Sequence, residues 1–351
     1  MLRHFIMTEI CILPDFSTAQ AAKIAERLYN LRGTLKVLNG ERDLNYLLQT
    51  KNGAYVFKIA NQDEPYGMLE CQHQVLQRLK ADKVMPRQAS SLESVNGRVI
   101  EIITSDRGIH HYCRILNYVE GQLLSGINHP SPELLDDLGK TLAQLDLSLQ
   151  GFTHEALDRP LLWNLSDVLA TLERFKPLLA SDDQRNLIEY FETHFRDCIL
   201  PLTRYLREGV IHNDANDNNV LIAGDQASEQ RITSIIDFGD MVNSWIAVEP
   251  AVAAAYAMLA TEKPLDAAVA IIKGYHSQLA LNETEISVLF DFICMRLCLS
   301  VCICAYQRSI EPDNEYLSIS EQPAWTLLEK LRIIEPGFAA NIFRQACGVR
   351  T

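Results

Sequence analysis

The stretch 210–222, VIHNDANDNNVLI, crowds His212, Asn213, Asp214, Asn216, Asp217, Asn218 and Asn219 between two apolar ends. So polar a run between flanks of buried character is either a solvated loop or a site that holds a proton acceptor and a metal ion at fixed spacing. His212, Asp214 and Asn219 stand in the pattern H-x-D-x-x-x-x-N, and eighteen residues beyond Asn219 the apolar run SIIDFGD reaches Asp237. Phosphoryl transfer asks little covalent work of a protein. One carboxylate takes the proton of the attacking hydroxyl, a carboxylate and an amide hold magnesium against the phosphates, and a lysine cradles them. Asp214 fits the first role and Asn219 with Asp237 the second. Lys58, inside the alternating run YVFKIA, fits the last, against the plainer reading of a strand lysine that solvates a sheet edge.

Further acidic groups, Asp217, Asp240 and Glu249, are candidates to meet a substrate ammonium, although Asp240 equally suits a helix cap. Trp245 and Tyr256 are candidate pocket walls and also ordinary core aromatics. Asn213, Asn216 and Asn218 read as loop formers, because their side chains satisfy nearby backbone. Cys294, Cys298, Cys302 and Cys304 stripe an apolar helical run. A thiolate metal site draws on two separated pairs, so these read as small core residues.

The elements that must position these groups follow from periodicity. Residues 17–30 read as a helix opened by a Ser17/Gln20 capping box. Two alternating runs around Asn52-Gly53 read as a hairpin, residues 68–80 as a helix, and 98–104 with 109–121 as a second hairpin. Residues 133–208 are mostly of helical period. Short strand-like pieces at 220–224 and 232–238 follow, and from Glu249 the chain is helical again. The expected division is a β-rich lobe over 1–121 and a helical lobe over 122–351, broken near VEGQLLSG.

The composition is globular, with 48% hydrophobic and 22% charged residues, and a net charge of −13 speaks against nucleic acid or an anionic membrane as partner. Nine cysteines, an odd number in a chain of 351 residues, are not a secreted disulfide framework. The N-terminal residues show no signal-peptide pattern, and the most apolar run, 286–306, is interrupted by Asp291 and Arg296. A soluble, cytoplasmic protein with reduced thiols is expected.

H-x-D-x-x-x-x-N followed by I-D-F-G, after a β-lobe with a strand lysine, resembles the aminoglycoside phosphotransferase and choline kinase superfamily, small-molecule relatives of protein kinases. GVIHNDANDNNVLI, IIDFGDMVNSWIAVEPAVAAAYAML and NGERDLNYLL resemble the hydroxylysine kinase group and the phosphotransferase domain fused to class III aminotransferases. The resemblance implies an α+β, two-lobed protein-kinase-like fold that uses ATP or GTP and Mg2+. It implies Asp214 as catalytic base, His212 as the orienting residue behind the loop, and Asn219 and Asp237 as magnesium ligands. Lys58 would contact the α- and β-phosphates. LNGERD, with Asn39, Gly40 and Arg42, would form the turn over the phosphates. The segment 115–121, with Tyr118, would be the hinge that meets the purine. Kinases pair the strand lysine with a helix glutamate; here helical phase places Gln72 on the buried face, so Gln72 rather than Glu70 is expected beside Lys58.

The implied acceptor is a small cationic hydroxyl compound, an amino alcohol or hydroxy amino acid, with 5-hydroxylysine first and homoserine, choline, ethanolamine or an aminoglycoside as alternatives. A protein kinase is disfavoured because no A-P-E segment follows DFGD. A binding module without catalysis is disfavoured because Asp214, Asn219 and Asp237 are all present.

Overall fold

The computed structural model describes residues 13–38, 40, 42–259, 261–310 and 321–349. Asn39, expected in the phosphate turn, lies outside the described residues. The chain divides into two compact units, 1–120 with 154–156, and 121–153 with 157–351.

The first unit opens with α1 (Thr18–Tyr29). Its capping box is complete: Ser17 Oγ accepts the Gln20 N–H at 3.3 Å, and Gln20 Oε1 accepts the Ser17 N–H at 2.8 Å. Strands β1 (Gly33–Leu38), β2 (Leu44–Thr50) and β3 (Gly53–Ile59) precede α2 (Tyr66–Ala81), and β4 (Glu101–Thr104) and β5 (His110–Asn117) follow it. They form one antiparallel sheet in the order β1-β2-β3-β5-β4. The β2–β3 turn is Lys51-Asn52, since Thr50 pairs with Gly53, whose φ of +145° a side chain would strain. Alternation divides the sheet's faces. Phe57 and Ile59 pack against Ile24, Ala25 and Tyr29 of α1, while Lys58 points the other way, directly across from Arg114 and Asn45.

The second unit is mostly helical. It contains β6 (Gln122–Leu123), α3 (Pro132–Leu149), α4 (Val168–Phe175), α5 (Asp182–His194) and the short strands β7 (Glu208–Ile211), β8 (Val220–Ala223), β9 (Arg231–Ile235) and β10 (Val242–Trp245). It continues with α6 (Val248–Leu259), α7 (Pro264–Gln278), α8 (Glu283–Ile310), α9 (Glu321–Arg332) and α10 (Pro336–Ala346). Two glycines let α3 and α7 touch backbone to backbone: a Cβ at Gly139 would stand 2.0 Å from the Ile271 carbonyl oxygen, and one at Gly274 2.0 Å from that of Asp136. Helix α8 has the length and apolar character of a membrane span, but 94% of its most apolar window is buried inside the protein. Its thiols at Cys294, Cys298, Cys302 and Cys304 are all buried.

Three small features position the site. Strand β7 pairs with β10 through Ile211 and Val242, and β8 pairs with β9 through Val220 and Ile235. The Ile236 N–H then donates to the Asn219 carbonyl at 2.9 Å. The polar loop 212–219 is therefore held at both ends by strands, and Asp237 is brought alongside Asn219.

Candidate active site

His212 and Asn213 are fully buried at the start of the loop. The His212 ring accepts the Asp214 N–H at Nδ1 (3.3 Å) and faces the Ile236 carbonyl with Nε2 (3.1 Å), which assigns the proton to Nε2. Burial pushes its pKa down to about 4, so the imidazole is neutral. Phe238 packs edge-on against it at 4.7 Å. His212 thus fastens the backbone on either side of the loop and takes no part in charge.

Both oxygens of Asp214 are engaged. Oδ2 accepts Asn219 Nδ2 at 2.8 Å and Asn216 Nδ2 at 3.1 Å, and Oδ1 pairs with Arg296 Nη2 at 2.9 Å. Burial raises the Asp214 pKa to about 7; the charges of Asp240 and Asp237 push the same way, while Arg296 and Asn216 oppose them. Its side chain remains 20% exposed, so the carboxylate is held but reachable. The Asn219 amide group is spent on Asp214, leaving its carbonyl oxygen as the atom it can offer a cation. Asp237 sits in the left-handed region at φ 61°, and Asn213 at φ 65°. Non-glycine residues adopt that region at a cost, and here the strands and hydrogen bonds around the loop impose it.

Glu249, expected to meet substrate, is instead wholly buried behind the loop. Its Oε2 accepts the Asn213 N–H at 3.0 Å, and the carboxylate also receives the His212 N–H. Burial raises its pKa to about 7. Trp245 is likewise core, stacked on Phe292 with ring centroids 5.5 Å apart. An apolar strand and the first turn of an apolar helix draw both inward. Asp240 is buried, and its carbonyl accepts Asn213 Nδ2 at 3.3 Å.

Asp217 lines a cavity of about 170 Å3 with Ala215 of the same loop, Leu135 and Leu138 of α3, and Ala253 and Tyr256 of α6. Burial raises its carboxyl pKa.

Of the residues expected at the nucleotide, Lys58 is half-buried in β3. Gln72 is buried, as expected, but its Oε1 accepts from Arg114 Nη2, the cross-strand neighbour of Lys58. Glu70 lies 3.9 Å from His154. Gly40 is exposed and Arg42 half-buried, and Asp43 of the same segment accepts the Asn61 N–H at 3.2 Å, tying the turn to the residues beyond β3. The Tyr118 N–H, in the expected hinge, is committed to the Ala54 carbonyl at 3.0 Å.

The sequence reading missed Arg296 and Trp163. Arg296, on α8, is 1% exposed. Besides Asp214 it binds the Trp163 carbonyl through Nη1 (3.2 Å) and the Tyr256 hydroxyl through Nη2 (3.2 Å). The Trp163 and Tyr256 rings flank its guanidinium at 4.5 and 5.4 Å. The available signal was an arginine in the middle of an apolar helix, which must find a buried anion.

A model of the phosphotransferase enzyme family matches residues 34–284. Hydroxylysine kinase of Mus musculus is 27% identical over 341 residues, covering 91% of this chain and 90% of the relative. Homoserine kinase of Sinorhizobium medicae is 26% identical over 269 residues, covering 72% of each. Among solved structures, the amicoumacin kinase hAmiN in complex with AMP-PNP, Ca2+ and Ami aligns with a TM-score of 0.70 at 14% identity, over 92% of this chain and 97% of that one. The shared fold is that of kinases with a β-rich N-terminal lobe and a larger helical C-terminal part.

Proposed function

Because the chain belongs to the phosphotransferase enzyme family, we propose that it transfers the γ-phosphoryl group of ATP or GTP to the hydroxyl of a small hydroxy amino acid or amino alcohol, 5-hydroxylysine first. It is a small-molecule kinase. The observation that carries the reading is the Asp214 carboxylate, held by both oxygens yet still reachable, with the Asn219 amide against it and Asp237 brought up by the β8–β9 pairing. Asp214 accepts the proton as the acceptor oxygen attacks phosphorus, and the bond to the leaving nucleotide diphosphate breaks.

The side-chain Oδ1 of Asn219 and the Asp237 carboxylate are hard oxygen donors, which suit Mg2+. Bound there, the cation would neutralise charge on the phosphates. The hAmiN complex holds a nucleotide analogue with a divalent cation, in keeping with that assignment. Lys58 takes the α- and β-phosphates.

The cavity beside Asp217 supports a small acceptor. Its roughly 170 Å3 falls below the roughly 300–1,000 Å3 of sites for drug-sized ligands. Asp217 offers a carboxylate to the acceptor ammonium, and Leu135, Leu138 and Ala253 take its aliphatic chain. Similarity over nearly the full length to a hydroxylysine kinase favours hydroxylysine over homoserine, whose kinase matches a shorter part of the chain. We place the enzyme in the cytoplasm, in keeping with the free thiols of the described cysteines.

The test is nucleotide consumption by the purified protein with Mg2+, using ATP and GTP separately. The acceptors are 5-hydroxylysine, homoserine, choline, ethanolamine, serine, threonine and kanamycin. Turnover that depends on hydroxylysine and vanishes in Asp214→Asn supports the proposal. Faster turnover with another acceptor moves the substrate; nucleotide binding with no acceptor-dependent turnover rejects it.

A further inference from the structure

We propose that Arg296 is the positioning residue of the phosphotransfer, fixing the Asp214 carboxylate against the body of the helical unit. The inference rests on the reading of Asp214 as the group that meets the acceptor hydroxyl.

The two amides on Asp214 Oδ2 come from its own loop and move with it. The bond to Oδ1 is different in kind, because Arg296 is 82 residues away, on α8. It is the tie that refers the carboxylate to the rest of the unit. Arg296 is itself fixed in several directions, by the Trp163 carbonyl, the Tyr256 hydroxyl and the two flanking rings. A guanidinium presents its donors in a rigid plane, so the tie has a direction as well as a charge. Tyr256 also lines the cavity beside Asp217. One arginine therefore references the carboxylate to the wall of the cavity assigned to the acceptor.

A purely structural role explains the arginine poorly. Burying an ion pair costs several kcal/mol per ion in desolvation, and apolar residues of similar volume often serve stability as well or better. Apart from Asp291 and Ser300, the stretch of α8 around Arg296 is apolar, with Ile293, Leu297 and Leu299 buried. A methionine would fill that space. The guanidinium contributes what methionine cannot, an oriented hold on Asp214. Orientation is worth much at a reacting centre, where a shift of about 1 Å costs on the order of 100-fold.

The test compares Arg296→Met, Arg296→Lys, Arg296→Ala and Trp163→Leu with wild type, using whichever compound of the acceptor panel wild type phosphorylates. Arg296→Met is expected to bind ATP normally and to lose about 100-fold in kcat with the KM of either substrate little changed. Arg296→Lys falls between, because an ammonium keeps the charge but not the plane. Arg296→Ala is expected to recover activity saturably with added guanidinium, a response that a packing role does not give. A folded, ATP-binding Arg296→Met at wild-type kcat overturns the proposal. If that variant does not fold, Trp163→Leu decides, since it removes one ring from Arg296 and leaves the charge: lower kcat at unchanged KM supports the proposal, and wild-type kcat overturns it. If wild type phosphorylates no compound, the acceptor reading falls and the crystal structure of Arg296→Met decides for Arg296. Asp214 turned or spread over orientations supports the proposal; Asp214 in its wild-type orientation overturns it.

Discussion

Two buried arginines, one in each unit, solve the same problem differently. Arg114, in the sheet, donates to the neutral amide of Gln72; Arg296, on α8, donates to the carboxylate of Asp214. An amide oxygen gives a guanidinium a hydrogen bond alone, whereas a carboxylate gives it a hydrogen bond and an opposite charge and is itself held in place. The comparison separates a contact that supports architecture from one that supports chemistry. Removing the first acceptor should register in stability, and removing the second in turnover.

The largest effect tests the Asp214 side. Asp214→Asn keeps the shape and removes the proton acceptor, so kcat should fall by about 10²- to 10⁴-fold while ATP still binds in a titration. An active Asp214→Asn would erase the distinction. Next comes Lys58, which faces the same side of the sheet as Arg114. Lys58→Met gives up charge-assisted hydrogen bonds to phosphate, each worth about 1.5–3 kcal/mol. Steady-state kinetics should show kcat/KM for ATP lowered about 10- to 100-fold with the acceptor KM nearly unchanged.

Smaller still is Gln72→Leu, which strips an acceptor from buried Arg114 and should cost about 1–3 kcal/mol in urea denaturation, with ATP affinity largely retained. Gln72→Glu should return part of that stability. A large loss of ATP affinity in Gln72→Leu would move Gln72 from architecture to the nucleotide site.

The last effect is in the pH dependence of stability. Glu249 has a folded-state pKa raised from 4.5 to about 7. The folded protein binds that proton more tightly than the unfolded chain does. The contribution is therefore full below about pH 4.5 and is lost as pH rises through about 7. Glu249→Gln should flatten the decline in melting temperature over that window relative to wild type. Parallel pH curves for the two proteins would contradict the burial argument.

What the sequence disclosed and what it withheld follow the range of the contacts. His212, Asp214 and Asn219 share one loop, and Asp237 lies one hairpin away, so local spacing sufficed. The capping box of α1 and the β2–β3 hairpin were legible for the same reason. Helical phase found Gln72 on the buried face, but its partner depended on sheet register, which set Arg114 opposite Lys58. Strands β7 and β10 are four residues each and pair across a long connection, too short for alternation to reveal them. Arg296 was hardest, because its anion lies 82 residues away and nothing local announces it. Glu249 and Trp245 read as site residues by their types, yet the apolar residues around them already argued for burial.

The cysteines of α8 make that helix its own clock. Burial raises the Cys302 thiol to about 12 and pushes Cys294 and Cys298 well above the ordinary value, so the folded protein presents almost no thiolate there. Cys198, by contrast, is exposed. An alkylating reagent will take Cys198 at once and wait for α8 to open before taking Cys294, Cys298 and Cys302. Arg296 sits between Cys294 and Cys298 in the chain. Slow labelling at Cys294 and Cys298 therefore times the release of the segment that grips the Asp214 carboxylate.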